Sequence, residues 1–250
     1  MSDYFQNFPV VEYAFGDEFN VKGGANLTLE LFQDLSAYVD IVDEIKDIGS
    51  YYFKYNILEN DRPDQVSQKI YGSPNYHWTF YLMNDHVRRQ GWPLSMVELD
   101  KKVKRDFPHK YIRTLDDLTG IMLPDQRAFG QVSSGGGTIK RRHLDLGLII
   151  VDSKDHFQAK EKVVHTAYEG ITRSITVEST GFEYNAPRYY EDGDGNYVDI
   201  DPATRQGALL TEVTNYDHYI RENDKLKQIK VLRPDAIQSV IGNYLQALSS

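Results

Sequence analysis

One acidic loop carries enough oxygen ligands to suggest a cation site. Its members are Asp192, Asp194, Asn196, Asp199 and Asp201, interspersed with two glycines. Hard cations such as Ca²⁺ take several carboxylate and carbonyl oxygens from a few neighbouring residues. The full calcium-loop pattern fails, because Tyr197 stands where that loop needs glycine and Ala203 where it needs a bidentate glutamate. We therefore favour a solvated acidic turn between two strands over a calcium site.

No other spacing in the chain predicts catalysis, a cofactor or a metal. The glycine run at residues 135–137 lacks the Gly-Lys-Ser/Thr ending of a phosphate-binding loop, and we interpret it as a flexible linker. The seven histidines form no His-Glu-x-x-His motif and no pair four residues apart on one helix. No serine lies in a Gly-x-Ser-x-Gly elbow. We expect a protein that is not an enzyme, with no catalytic residue, no cofactor and no metal.

Composition narrows the class of protein further. The 250 residues carry a formal net charge of −9, which opposes binding to nucleic acid and to anionic membranes. No cysteine is present, so disulfides and thiolate sites are excluded and a reducing compartment is indicated. The N-terminus shows no signal-peptide pattern, and no apolar run approaches the ~18 residues of a membrane span. The eighteen tyrosines suit either extensive protein contacts or β-rich cores.

A strand and two short helices are predicted between residues 51 and 85. Aromatic or aliphatic side chains at residues 51, 53, 55 and 57 alternate with Tyr52, Lys54 and Asn56, and this alternation is typical of a strand. Pro63 suits the first turn of a helix, and Gly72 suits the left-handed position that ends it. Ser73 followed by Pro74 then predicts the start of a second helix.

This order of elements, together with its residues, resembles the LysM-like module. The residues that carry the resemblance are Asp61, Val66, Tyr71, Gly72, Trp78, Leu82 and Asn84. The core that it implies consists of Tyr55, Val66, Ile70, Tyr71, Gly72, Trp78, Leu82 and Asn84. Asn60 replaces the usual glycine of the sugar-binding loop, and Arg62-Pro63 replaces the usual Thr-Leu. We therefore expect no sugar binding, and we expect Trp78 to pack in the core rather than to stack on a sugar.

Segments that flank this module resemble the LysM-like baseplate wedge protein of contractile-tailed bacteriophages. They are Tyr4-Phe5-Gln6-Asn7-Phe8-Pro9 with Glu12-Tyr13, then Gly91-Trp92-Pro93-Leu94, and finally Ile229-Lys230-Val231-Leu232-Arg233-Pro234. The resemblance implies a structural protein of the virion tail, present in six copies, that joins adjacent wedges through the wedge-core proteins. It also implies assembly in the host cytoplasm. The candidate partner interface comprises Phe5, Phe8, Pro9, Tyr13, Arg233, Pro234, Ile237 and Tyr244.

The patterns along the whole chain predict an α+β protein in four parts. These are an N-terminal segment with a helix (1–48), a LysM-like domain (49–110), a β-rich middle domain (111–228) and a C-terminal amphipathic docking helix (229–250). The N-terminal helix is predicted from Thr28 as N-cap and an apolar spacing that runs to about Val42. Ser95 and Glu98 form a capping box that starts a helix ending at Pro108. The C-terminal helix has a broad apolar face, which must be buried against a partner or against the first part of the chain.

Strands are predicted in the middle domain from short apolar or β-branched runs. The segments are residues 144–151, a hairpin over residues 163–179, residues 197–200 and residues 209–214. Two functions of other classes stay open beside the structural one. The first is binding of peptidoglycan or N-acetylglucosamine by a LysM-type module of a cell-wall-recognition protein. The second is an enzyme whose residues converge only in three dimensions.

Overall fold

The computed structural model describes residues 10–15, 28–33, 48–166, 172–204, 207 and 209–248. Its helices and strands mix throughout the chain, so the predicted α+β class is confirmed. The strands are β1 (Val10–Phe15), β2 (Thr28–Gln33), β3 (Tyr52–Asn56), β4 (Lys110–Arg113), β5 (Arg127–Gly130), β6 (Gly136–His143), β7 (Leu148–Asp152), β8 (Lys162–Thr166), β9 (Thr172–Thr176), β10 (Ser179–Phe182), β11 (Pro187–Glu191), β12 (Tyr197–Val198), β13 (Thr211–Thr214) and β14 (Gln228–Leu232). The helices are α1 (Pro63–Tyr71), α2 (Trp78–Met83), α3 (Asp85–Gln90), α4 (Met96–Asp106), α5 (Asn215–Leu226) and α6 (Ile237–Leu248).

The chain divides into two compact units whose limits differ from the predicted ones. The first unit contains Met1–Pro93 and Asp224–Ser250, and the second contains Leu94–Asn223. The helix after Ser95 therefore belongs to the second unit, not to the domain that we predicted for residues 49–110. The C-terminal segment 229–250 is part of the first unit rather than a separate part. Spacing along the chain did not reveal this, because the first unit is closed by residues far apart in sequence.

The N-terminal segment contains a β-hairpin, and the second strand of this hairpin occupies the residues where the predicted helix was to begin. Strands β1 and β2 pair antiparallel, with Val10 opposite Gln33 and Phe15 opposite Thr28. The prediction of a helix starting at Thr28 is wrong, since Thr28–Gln33 is a strand. Leucines two residues apart, with threonine and phenylalanine beside them, satisfy a strand as well as a helix, and cross-strand pairing decides between the two. The rest of the predicted helix, residues 34–42, lies outside the described residues.

Local signals in the first unit form the elements that they predict. Pro63 is the first residue of α1, and Gly72 ends that helix with a φ of 70°, in the left-handed region that glycine adopts without steric cost. The Ser73 hydroxyl then accepts a hydrogen bond from the Asn75 N–H, which starts a short 3₁₀ turn at Pro74–Tyr76. The order strand, helix, helix predicted for residues 51–85 is confirmed, with a break at Asn84 between α2 and α3.

The first unit is closed by a two-stranded sheet that takes one strand from each of the two chain segments of the unit, one before and one after the second unit. Strand β3 pairs antiparallel with β14, in a register that runs from Tyr52 opposite Leu232 to Asn56 opposite Gln228. Helices and strands then enclose two apolar clusters. One contains Ile57, Val66, Phe80, Val87, Ile229 and Val231, and the other contains Leu82, Met83, Leu232, Ile237 and Tyr244.

The second unit is built on an antiparallel sheet that closes on itself. The strand order is β10-β4-β7-β6-β5-β8-β9, and the two end strands are separated in sequence by Val177 and Glu178 alone. Val177 N donates to the Glu161 carbonyl at 2.9 Å, and Glu178 N donates to the Arg113 carbonyl at 2.8 Å. These bonds extend the pairing of β9 with β8 and of β10 with β4 up to the point where the two end strands meet, so the continuous segment 172–182 closes the sheet into a barrel. Its core is Ile112, Leu118, Met122, Ala128, Ile139, Ile149, Val151, Phe157, Val163, Ile175 and Val177.

The segment that we interpreted as a flexible linker is an ordered hairpin between β5 and β6. Gly136 and Gly137 belong to β6, and Glu161 holds the loop that precedes them. The Glu161 carboxylate accepts hydrogen bonds from the N–H groups of Val132 and Ser133, at 3.0 and 2.9 Å. Burial raises the pKa of Glu161, but these backbone donors, with that of Gln158, outweigh burial and lower the pKa overall. The linker interpretation is wrong, because the glycines serve close strand packing rather than flexibility.

A small second sheet and two helices complete the second unit. Strand β11 pairs with β12 and β13, and the predicted acidic turn connects β11 to β12. Asp192 organises that turn, since its side chain accepts from the N–H groups of Asp194 and Asn196, both at 2.9 Å. The interpretation of an acidic turn between strands is confirmed. The predicted capping box is also confirmed, with Glu98 N donating to the Ser95 hydroxyl at 3.3 Å and Ser95 N donating to the Glu98 carboxylate at 3.1 Å.

Candidate interaction surfaces

Asn84 joins the helical part of the first unit to its C-terminal strand. The Asn84 side-chain amide donates to the Lys230 carbonyl at 2.8 Å, and its oxygen accepts from Lys230 N at 2.7 Å. The same amide nitrogen donates to the Phe80 carbonyl at 2.8 Å. Asn84 is 3% exposed, so these bonds satisfy groups that water does not reach. The buried amide thus pairs with β14 as a neighbouring strand would.

Two further side chains cover the same edge of β14. The Tyr71 hydroxyl donates to the Leu232 carbonyl at 2.9 Å, and burial raises the pKa of Tyr71, which keeps the hydroxyl protonated as a donor. A ring nitrogen of His86 lies 3.1 Å from the Gln228 carbonyl. Every second residue of β14 therefore bonds to a side chain of the helical part. This edge is occupied within the chain and is not a docking edge for a partner.

The residues of the predicted LysM-like core all lie in the first unit. Val66 and Leu82 are buried, Tyr55, Ile70, Tyr71 and Trp78 pack against the two clusters, and Gly72 and Asn84 end helices. The Trp78 ring lies 5.8 Å from the Tyr244 ring, centroid to centroid. Trp78 is partly buried by this contact. Its packing against Tyr244 fits the core role that we predicted, and the ring is not presented as a free platform for a sugar.

The C-terminal residues of the predicted partner interface divide into two groups. Ile237 and Tyr244 are 3% and 2% exposed, buried against α2 and β14 of the same chain. They are therefore wrong as partner contacts, because the apolar face of α6 is already covered within the first unit. Arg233 and Pro234 precede that helix and are exposed.

The loop at residues 60–63, where the LysM resemblance predicted an altered sugar-binding loop, is held by contacts within the unit. The Trp92 ring N–H donates to the Asp61 carbonyl at 2.6 Å, and Lys69 Nζ lies 2.6 Å from the Asp61 carboxylate. The bond to Asp61 raises the pKa of Lys69. An open groove of about 530 Å³ lies beside this loop, lined by Asp61, Asp64, Gln65, Gln68, Lys69 and Pro74. Its polar walls lack the exposed aromatic ring on which a sugar would stack.

The β1–β2 hairpin exposes apolar side chains on both of its faces. Val11, Tyr13 and Phe32 share one face and are 41%, 60% and 45% exposed. Val10 and Leu31 lie on the opposite face and are 62% and 68% exposed. An isolated two-stranded hairpin is marginally stable in water, and one that exposes both faces gains least from burial. This pattern is typical of a surface that another protein covers.

Of the predicted interface residues near the N-terminus, Tyr13 lies on this hairpin. Phe5, Phe8 and Pro9 lie outside the described residues. Sequence reasoning missed Val10, Val11, Leu31 and Phe32, because we assigned the second strand to an amphipathic helix with a buried face. The signal that could have found them is the pairing of two short β-prone runs, residues 10–15 and 28–33, each with apolar side chains on both faces.

The comparisons with known proteins bear on this same part of the chain. Residues 4–97 match the family described as base plate wedge protein 53. The match confirms the resemblance to a phage baseplate wedge protein. It supports a structural role in the baseplate of a virion tail, in association with other baseplate proteins. No curated protein matches the chain.

The matched stretch includes the β1–β2 hairpin and the helical part of the first unit, and it stops at the first turn of α4. Binding of peptidoglycan or N-acetylglucosamine gains no support from the match. In the part of the chain that the structure describes, no group of three or more metal-binding side chains is placed to hold a metal ion. The described helices are also too short or too polar to cross a lipid bilayer.

Proposed function

We propose that this protein is a non-enzymatic component of a contractile phage tail baseplate wedge, joining adjacent wedges through protein contacts that the β1–β2 hairpin makes. The observation that carries the proposal is the exposure of apolar side chains on both faces of the hairpin, inside the stretch that matches the wedge protein family. A hairpin of this kind is stabilised when a partner buries both faces. The resemblance to the wedge protein also implies six copies per baseplate and assembly in the host cytoplasm, and we include both in the proposal.

The apolar area that the hairpin exposes limits the free energy that it can contribute to binding a partner. Full burial of one valine, leucine or phenylalanine side chain stabilises a complex by about 1.5–3 kcal/mol. Burial of Val10, Leu31 and Phe32 would therefore contribute favourably to docking, against the free-energy cost of association and of ordering the interface. Glu12 lies opposite Leu31 and is exposed, so the partner must accommodate an acidic group beside this apolar side chain.

The test is wedge assembly with hairpin variants. Tyr13→Thr and Leu31→Thr each remove apolar area from one face, and the threonine that they introduce is β-branched and favours a strand. The full-length protein is co-expressed with the other wedge proteins of its phage, and its fraction in purified wedges is measured by co-sedimentation. We expect each variant to lower its affinity for the wedge by roughly tenfold or more.

Two matched controls separate docking from folding. Val132 and Leu209 are 66% and 90% exposed in the second unit, so Val132→Thr and Leu209→Thr remove similar apolar area elsewhere. Neither control should change incorporation, and all four variants should keep the unfolding midpoint of the parent. Normal incorporation of both hairpin variants would show that the wedge contact lies on another surface.

A further inference from the structure

A cleft in the second unit combines an apolar floor with a rim of fixed cationic groups. Its volume is about 370 Å³, and its floor includes Phe107, Leu146, Leu148 and Ile150. Leu148 and Ile150 point here because β7 alternates, with Ile149 and Val151 turned into the barrel core. Clefts of this size and lining are typical of sites that bury a ligand side chain.

Arg141 on the rim is held in place by a buried carboxylate. The Arg141 Nη2 atom donates to Glu183 Oε1, and Glu183 Oε2 accepts from His109 N at 3.2 Å. Glu183 is 1% exposed, whereas half of the Arg141 side chain is exposed. A guanidinium has five N–H donors, so the bond to Glu183 leaves further donors on Arg141, which belongs to the lining of the cleft. The register shift between Ile139 and Arg141 in β6 places Arg141 opposite Ile150 of the floor.

A second rim arginine, Arg188, is exposed and contacts the same buried network. Arg188 Nη1 lies 3.5 Å from the Asn215 side-chain oxygen. The Asn215 amide nitrogen in turn donates to the Glu183 carbonyl at 2.9 Å, and Asn215 is 9% exposed. Glu183 and Asn215 therefore form one buried unit that orients the Arg141 guanidinium and contacts that of the exposed Arg188 through one long hydrogen bond. Orientation before binding lowers the entropy cost of recognising a ligand.

We propose that this cleft binds a carboxylate-bearing, apolar peptide segment of a partner protein. Two arginines and one glutamate leave a net positive charge on the lining, which is complementary to a carboxylate. Guanidinium groups bind carboxylates through paired, charge-assisted hydrogen bonds. The apolar floor receives an aliphatic side chain adjacent to that carboxylate. This site lies in the second unit, so it is independent of the hairpin and of the proposed wedge contact.

Two other occupants fit the lining less well. A phosphate or another small anion would use the arginines but leave the apolar floor unfilled. A nucleic acid would need a longer basic surface, and the chain as a whole carries a formal charge of −9. The peptide segment is the occupant that uses both the rim and the floor.

The test measures binding of labelled peptides to the full-length protein by fluorescence anisotropy. The probe is a hexapeptide of alternating aspartate and leucine, compared with one of alternating asparagine and leucine. We expect saturable binding of the acidic peptide that is at least about tenfold tighter than binding of the neutral one. Arg188→Gln should weaken binding of the acidic peptide by about tenfold or more. Arg127→Gln, an exposed arginine of β5 outside the cleft lining, should leave it unchanged.

Arg188 is chosen because its loss leaves the buried Glu183–Arg141 pair intact, so the variant is expected to fold. Equal binding of the acidic and neutral peptides, or unchanged binding by Arg188→Gln, would overturn the proposal. So would the absence of saturable binding up to about 1 mM peptide. Complete displacement of the peptide by inorganic phosphate would identify a simple anion site. Tighter binding of a thymidine oligonucleotide than of the acidic peptide would identify a nucleic-acid site, and either result contradicts the peptide assignment.

Discussion

The side-chain amide of Asn84 and the main chain of Lys230 exchange two hydrogen bonds across 146 residues of sequence, at 2.8 and 2.7 Å. This pair joins a helix that precedes the second unit to a strand that follows it. The first unit is therefore complete only after the whole second unit has been synthesised, because β14 supplies both the partner of β3 and the acceptor groups for Asn84.

Replacing Asn84 by alanine should destabilise the first unit by about 2–4 kcal/mol, because buried main-chain groups of Phe80 and Lys230 lose their partners. Both tryptophans of the chain, Trp78 and Trp92, lie in this unit, so tryptophan fluorescence during urea unfolding follows it alone. His86→Ala, at a less buried position on the same edge, should cost less than half as much. Equal unfolding midpoints for Asn84→Ala and the parent would show that water replaces the amide.

Substitutions in the C-terminal helix should act on folding of the first unit. Tyr244→Ala removes an aromatic ring that is 2% exposed and that packs on Trp78, and we expect a loss of about 3–5 kcal/mol. The neighbouring Asn243 is exposed, so Asn243→Ala should change the free energy of unfolding by less than about 0.5 kcal/mol. Tryptophan fluorescence in urea measures both.

A chain that stops after Arg233 extends this prediction. It lacks α6, and its tryptophan emission should lose the cooperative transition, while the barrel keeps its far-UV circular dichroism. If the first unit of the truncated chain still unfolds cooperatively at the parental midpoint, α6 is not needed for folding. That result would favour our prediction from the sequence that the helix docks on a partner.

Gly137→Ala should destabilise the second unit by about 2 kcal/mol or more. A Cβ atom at Gly137 would lie 2.5 Å from the Asp152 carbonyl oxygen and 2.7 Å from a methyl group of Val151. The carbonyl is part of a paired strand and cannot move aside cheaply. Gly193→Ala is the matched control, since a Cβ there meets nothing within 4 Å. Thermal unfolding followed by circular dichroism tests both, and a Gly137→Ala protein as stable as the control would mean that the hairpin is as adaptable as a linker.

The second unit should lose stability as the pH falls below about 6.5, the usual pKa of histidine in an unfolded chain. Burial, and then the charge of Arg173, lower the pKa of His165, which is 2% exposed and accepts a hydrogen bond from Met122 N at 3.3 Å. The folded unit therefore binds a proton less readily than the unfolded chain, so protons favour unfolding in this window. The stability that the folded unit gains from the neutral His165 is fully present above pH 6.5, and it is lost as the pH falls through the lowered pKa of His165.

The measurement is the free energy of unfolding between pH 7.5 and pH 5. His165→Gln keeps an acceptor for the Met122 N–H but removes the titration, so its pH slope in this window should be flatter than that of the parent. The pKa of Glu161 is also lowered, but Glu161 changes the pH dependence of stability only below about pH 4.5. It therefore does not affect the comparison of the two slopes between pH 7.5 and pH 5. Identical slopes for the parent and His165→Gln would assign the pH dependence to other groups.

Local chemistry of the sequence was sufficient for several elements of this protein. Pro63, Gly72 and Ser95 predicted where helices begin or end, since a cap or a left-handed glycine depends on bonds within three or four residues. Asp192 and its neighbours predicted an acidic turn, because the missing glycine at Tyr197 excludes the calcium-loop conformation. The flanking segments pointed to the baseplate wedge family without any knowledge of the fold.

Tertiary structure decided what depends on residues distant in sequence. Thr28–Gln33 became a strand because Val10–Phe15 pairs with it, and helical spacing within the segment itself could not show that partner. The apolar face of α6 predicted burial but not what would cover it, and the contacts of Ile237 and Tyr244 with the first unit answered this. The pairing of β3 with β14 and the network of Glu183, Asn215 and Arg141 likewise join residues that no short-range pattern connects, because loop closure over long separations leaves no periodic signal in the sequence.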